Sequence, residues 1–139
     1  MDSVRDLPHT IRSIETEWIP MPDGVHLAAR IWLPDDAERN PVPGILEYIP
    51  YRHRDNTRSR DERMHPYFAG HGYAAVRVDI RGSGNSEGVL EDEYLESELQ
   101  DGAAIIRWIA ERPWCDGNVG MIGISWGGFN GLQIAARRP

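Results

Sequence analysis

Polar and apolar positions change their period several times along the chain, and each change marks an element. Residues 13–21, "SIETEWIPM", alternate; Asp23-Gly24 is a turn signal; "VHLAARIWLP" at 25–34 resumes the alternation. Two alternating runs about a short Asp-Gly turn predict a β-hairpin. A Pro-, Asp- and Asn-rich link at 34–43 leads to the apolar "GILEYI" at 44–49, then a polar loop at 50–63 and a short helical pattern ending at "AGHG", 69–72. "YAAVRVDI" at 73–80 reads as the next strand and runs into the glycine-rich "RGSGNSEG" at 81–88, followed by an acidic stretch.

From Ser97 to Glu111 the period becomes helical, with Leu99, Ala103, Ile106 and Ile109 or Ala110 on one face and Pro113 as the stop. "WCDGN" at 114–118 is expected to turn. "VGMIGI" at 119–124 is continuously apolar, the pattern of a strand covered on both faces of a parallel sheet. After Ser125, Gly127, Gly131 and Ala135 recur every fourth residue, so a helix there would present a bare stripe for close backbone approach. The order hairpin, strand, helix, strand, helix, strand, helix predicts a mostly parallel, doubly wound α/β sheet, and no internal repeat or linker divides it.

Composition narrows the chemistry. A chain of 139 residues has the size of one domain with one core. Its net charge of -7 argues against nucleic acid as a partner. The one basic-looking segment, "RHRDNTRSRDER" at 52–63, interleaves arginine with Asp55, Asp61 and Glu62 and reads as a solvated loop. All fifteen basic residues are arginine, which removes P-loop, kinase and Schiff-base lysine chemistry together. The single Cys115 cannot form an internal disulfide, and no apolar run has the length of a signal or membrane segment. A soluble, cytoplasmic protein without a membrane partner is expected.

Gly123-Ile124-Ser125-Trp126-Gly127 reads as G-x-S-x-G. Alone the pattern is weak; between a buried strand and a helix rich in small residues it describes a nucleophile elbow. The serine of such an elbow sits in a strained turn, so Gly123 and Gly127, two residues either side, must be small, and the helix N-terminus brings free N–H groups to it. The rival glycine motif, Gly82, Gly84 and Gly88, spaces as G-x-G-x-x-x-G, one residue too long for a dinucleotide fingerprint, and acid follows it. "HRDN" at 53–56 is similar to a kinase catalytic loop, but the position of its asparagine is Arg60. His9, His26, His53, His65 and His71 form no metal-ligand spacing and are expected on the surface or in loops. No cofactor or metal is expected.

"YIPYRHRD", "GHGYAAVRVDIRGSGNSEG" and "RPWCDGNVGMIGISWGG", in this order, resemble the N-terminal part of the X-Pro dipeptidyl-peptidase-like hydrolases, from about Glu17 to the end of the chain. The resemblance implies an α/β-hydrolase core in which Ser125 is the nucleophile, the Trp126 backbone N–H is one oxyanion donor, and the Tyr51 hydroxyl is the second. Pro50 offers no N–H, which agrees with a side-chain donor on that loop. In these hydrolases the acid and the histidine follow the serine, whereas all five histidines here precede Ser125. Residues 1–139 therefore read as the N-terminal portion of one α/β-hydrolase domain, with the acid and histidine of the triad outside this chain. The implied substrate is a small ester or a peptide. The alternative is a non-catalytic module that binds a partner through an exposed sheet edge, and that edge also predicts homo-oligomer formation. The acidic stretch 91–101 fits either a seat for a substrate amine or a solvated approach to a helix N-terminus.

Overall fold

The computed structural model describes residues 6–139. Its elements are β1 (Ile11–Pro20), β2 (His26–Pro34), β3 (Val42–Ile49), α1 (Arg58–Gly70), β4 (Ala74–Asp79), α2 (Glu96–Ala110), β5 (Cys115–Met121) and α3 (Trp126–Ala136). The strands form one sheet in the order β1-β2-β4-β3-β5. β1 pairs antiparallel with β2 and β2 antiparallel with β4, while β3 runs parallel to both β4 and β5. The hairpin thus adds an antiparallel margin to a parallel doubly wound unit, because a tight turn reverses the chain and a helical crossover does not.

The two faces of this sheet differ in chemistry. Along β4, Ala74, Val76 and Val78 join Leu46 and Tyr48 of β3 in the main apolar core, which α2 and α3 cover with Leu99, Ile105, Ile109 and Ile134. The alternate residues of β4 are Ala75, Arg77 and Asp79, all fully buried on the other face under α1. A two-residue period sends successive side chains to opposite faces. The α1 side consequently holds a small apolar cluster of Trp32, Ala69 and Ala75 beside a set of buried charges.

Three sequence expectations need correction. β5 begins at Cys115 rather than 119 and lies at the sheet edge, where Asp116, Gly117, Asn118 and Gly120 are exposed, so it is not covered on both faces. On α2 the buried positions are Glu98, Leu99, Asp101, Gly102, Ile105 and Ile109; Ala103 and Ile106 are only partly covered. Gly102 sets this phase, since a Cβ there would fall 2.3 Å from Ile134 of α3, so that face must meet α3 directly. On α3 the buried positions are Gly127, Asn130 and Ile134. Of the expected small-residue stripe only Gly127 packs closely, against Ile49, while Gly131 and Ala135 border an open groove of about 500 Å³ with Met121 and Leu132.

The corrected phase of α2 is testable by denaturation. Ile105→Ala should lower unfolding stability by about 2–5 kcal/mol in urea melts with an unchanged m-value, as for other fully buried isoleucines. Ile106→Ala should cost clearly less, and equal losses at the two positions would contradict the phase.

Candidate active site

The parallel strands β3, β4 and β5 end side by side, and their C-terminal loops carry the sequence-nominated residues. Leu46 of β3 aligns with Met121 of β5, and the Ile122 N–H continues the ladder by donating to the Leu46 carbonyl at 2.9 Å. From that level Tyr51 lies five residues along one strand and Ser125 four along the next. The glycine-rich loop leaves β4 on the other side of β3. This carboxyl edge is where open α/β sheets bind ligands.

Ser125 joins β5 to α3 with φ 57° and ψ −119°, a backbone conformation that L-residues rarely adopt. The chain turns so tightly here that a Cβ on Gly123 would stand 2.3 Å from the Gly127 carbonyl group. A Cβ on Gly127 would meet Ile49 at 2.5 Å. Ser125 itself is exposed. Its carbonyl accepts the N–H groups of Gly128 at 2.9 Å and Phe129 at 3.0 Å, and the Ile124 carbonyl accepts that of Gly127 at 3.2 Å. The Trp126 N–H has no such acceptor among the described residues, as expected for the first amide of a helix. Tyr51 is half-buried and is followed by Arg52 at φ 49°.

Beneath Tyr51 lies a buried ionic network that composition alone did not indicate. Arg77 is fully buried; its Nη1 donates to the carbonyls of Val78 at 2.8 Å and Ile49 at 3.3 Å and to Asp79 Oδ1 at 3.3 Å. Its Nε stands 3.6 Å from Glu47 and 3.5 Å from Asp61. Arg60 donates to Glu47 at 2.6 Å and to Asp61 at 2.7 Å, and His65 Nε2 lies 3.1 Å from the same Glu47 oxygen. Residues 52–63 are therefore not simply a solvated loop, and His53 and His65 are buried rather than superficial. Glu47, Asp61 and His65 group closely enough to hold a metal ion, a clustering the sequence spacing concealed. Two guanidinium groups already neutralise those oxygens, which makes the cluster an ion-pair network.

Asp79, at the tip of β4, fastens two loops together. Its Oδ1 accepts the His53 N–H at 3.0 Å, two residues from Tyr51, and its Oδ2 accepts the Asn85 N–H at 3.1 Å. His53 Nδ1 sits 2.9 Å from Oδ2. Gly84 passes so close that a Cβ there would lie 1.9 Å from Oδ2, and its φ is 56°. The glycine-rich segment is thus a shaped loop wrapped on a carboxylate. Two other histidines have partners of their own: His26 with Glu87 at 3.1 Å and His71 with the Tyr67 carbonyl at 2.8 Å.

Comparison with known proteins agrees with this architecture. The profile of the X-Pro dipeptidyl-peptidase (S15 family) matches residues 23–139. The chain belongs to the S15 family. Cocaine esterase from Rhodococcus is 39% identical over 121 residues, covering 84% of this chain and 20% of that protein. An α-amino acid ester hydrolase structure superposes with a TM-score of 0.72 and 28% identity, covering 100% of this chain and 25% of that one. A CocE/NonD family hydrolase from Staphylococcus aureus shares the fold with a TM-score of 0.78 at 22% identity, covering 91% of this chain and 26% of that one. The chain spans about a fifth of the curated relatives' length.

One residue of this S15 chain near the elbow had no signal in the sequence beyond membership of an acidic stretch. Glu98, in the first turn of α2, is only 4% exposed. Its Oε1 accepts the Trp126 indole N–H at 2.7 Å and the Asn130 amide at 3.1 Å, and its Oε2 accepts the Tyr94 N–H at 2.8 Å. The neighbouring acids of 91–93 are exposed. Glu98 is therefore a buried hydrogen-bond acceptor just beyond an exposed acidic run.

In this S15 chain the Asp79 junction makes a pH prediction. Burial raises the Asp79 pKa, but the His53 imidazole, Arg77 and the Asn85 N–H outweigh it and hold the carboxyl below its ordinary value. A folded pKa below the unfolded value of about 3.9 stabilises the fold above that pH, and this contribution is lost as pH falls through the folded pKa. Asp79→Asn should cost about 3–5 kcal/mol in urea melts at pH 7, as for a broken buried pair. The gap to the parent should narrow below about pH 4; an equal gap at pH 3 and pH 7 would refute the assignment.

Proposed function

We propose that Ser125 is the nucleophile of a serine hydrolase that cleaves a carboxylic ester or an amide bond through an acyl-enzyme. The observation that carries this reading is the strained, exposed serine at φ 57° between β5 and α3, with Gly123 and Gly127 in contact across the turn. Family membership supports it, and the names of the relatives, cocaine esterase and α-amino acid ester hydrolase beside X-Pro dipeptidyl-peptidase, fit an ester or a peptide substrate.

The reaction follows from the groups present. The Ser125 Oγ attacks the substrate carbonyl carbon as its proton passes to a histidine, which a carboxylate orients; both partners lie outside this chain. The carbonyl oxygen becomes an oxyanion held by the Trp126 N–H and the Tyr51 hydroxyl. Collapse of that intermediate breaks the carbonyl–oxygen or carbonyl–nitrogen bond, and the histidine returns its proton to the departing alcohol or amine. Water then adds to the acyl carbon, gives a proton to the histidine and releases the acid with Ser125 restored. The substrate is a small ester or peptide. No helix among the described residues is long and apolar enough to cross a membrane.

A second reading, a non-catalytic module that docks a partner or a second copy, is favoured by the unpaired outer edge of β5 and by Ile124, Phe129 and Leu132, exposed by 75%, 62% and 74%. One experiment separates the two. The full-length polypeptide should label with a fluorophosphonate probe, and Ser125→Ala should abolish the label. Labelling that survives Ser125→Ala overturns the nucleophile assignment, and no labelling of the parent favours the module. Tyr51→Phe should lower kcat by about 100- to 1,000-fold, the usual loss for one oxyanion donor.

A further inference from the structure

Glu98 takes no part in the reaction above, yet it holds the residue whose amide would bind the oxyanion. Trp126 is fixed at both ends: its backbone N–H opens α3 beside Ser125, and its indole N–H ends on a buried carboxylate 2.7 Å away. The same oxygen takes the side-chain amide of Asn130, one turn further along α3, and that amide also donates to the Tyr48 carbonyl of β3 at 2.8 Å. The other oxygen takes the backbone N–H of Tyr94, a residue at φ 56° whose ring lies 5.3 Å from that of Trp126 and 5.9 Å from that of Phe129. Left-handed backbone at a tyrosine is strained and persists only where its surroundings impose it. One carboxylate therefore clasps the first turn of α3, the loop before α2 and, through Asn130, strand β3.

Oxyanion donors act through their preorganisation, so the side chain that aligns a donor contributes to rate without touching substrate. We propose that Glu98 is a positioning residue for the oxyanion site, setting the direction of the Trp126 amide by holding its indole. This inference rests on the reading of the Trp126 N–H as an oxyanion donor. It predicts that loss of the clasp slows the chemical step and leaves ground-state binding nearly intact, because the donor is fully engaged only when the oxyanion forms.

The test uses Glu98→Gln, which keeps the side chain's size but weakens the bond and opposes an amide to the Tyr94 N–H, together with Trp126→Phe, which keeps the backbone amide and removes the indole N–H. With p-nitrophenyl acetate and the full-length polypeptide, each variant should lower kcat about tenfold with KM within about twofold. The double variant should fall no further than about tenfold, since both substitutions break one interaction. In the 15N–1H spectrum of the parent the Trp126 indole signal, identified by its loss in Trp126→Phe, should move in Glu98→Gln while the remaining indole signals stay. Losses that multiply to about a hundredfold, a loss carried by KM, or an unmoved indole signal would each overturn the proposal. Hydrolysis that survives Ser125→Ala would instead sink the nucleophile reading, and the indole spectrum would still decide whether Glu98 holds Trp126.

Discussion

A guanidinium buried in the middle of a sheet governs the α1 side of this molecule. Arg77 alternates with Val76 and Val78 along β4, so the pleat that places two valines in the main core must send this arginine into the opposite face. An isolated buried cation is prohibitively costly, and the fold meets it with three carboxylates: Glu47 directly across the parallel ladder, Asp61 from α1 and Asp79 two residues along. Burial lowers the Arg77 pKa and these three acids oppose that shift. Helix α1 is consequently held to the sheet by charge as well as by apolar contact. The same logic recurs at Arg30, which is 6% exposed, pairs with Glu15 at 2.9 Å and stacks 4.6 Å over Trp32.

That constraint reaches the candidate site through Asp79. The carboxylate that balances Arg77 also caps the His53 N–H, two residues from Tyr51, and the Asn85 N–H of the glycine-rich loop. Both loops are thereby tied to the tip of β4, and loops held in this way give a site its rigidity. Glu98 does the corresponding work on the apolar face, where three N–H donors satisfy it. The Tyr51 side and the Trp126 side are thus secured by separate carboxyl groups on opposite faces of one sheet.

The sequence carried the parts of this that depend on local pattern. The hairpin, the strand 73–80 and the Gly-x-Ser-x-Gly turn were legible because alternation, a turn dipeptide and paired glycines are local signals. Partnerships set by register were not legible: Glu47 and Arg77 are thirty residues apart, and only the parallel alignment of β3 with β4 makes them neighbours. The phase of α2 slipped for a related reason. Its buried face includes Glu98, Asp101 and Gly102, which a search for apolar periodicity passes over. Asp101 is buried because Arg81 grips it with two bonds of 2.7 and 2.8 Å, again a long-range pairing. The apolar run at 119–124 misled in the other direction, since an edge strand and a central strand can share a composition.

The elbow concentrates strain that its own turn does little to relieve. Ser125 at positive φ carries a penalty of about 1–3 kcal/mol, and Ser125 is exposed while Ile124 and Phe129 expose most of their surface, so local burial does not offset it. What keeps the turn in place lies one residue and one turn further on. Gly127 seats against Ile49, the Asn130 amide reaches the Tyr48 carbonyl, and the Trp126 indole ends on Glu98. All three anchors belong to α3 and bind it to the C-terminal half of β3 and the start of α2. If the helix is fixed at those points, the serine before it has little freedom to relax, because β5 fixes the chain on the other side through the Ile122 N–H. The strained geometry of Ser125 is therefore a property of how α3 docks, and the residues that dock it are as much a part of the candidate site as the serine.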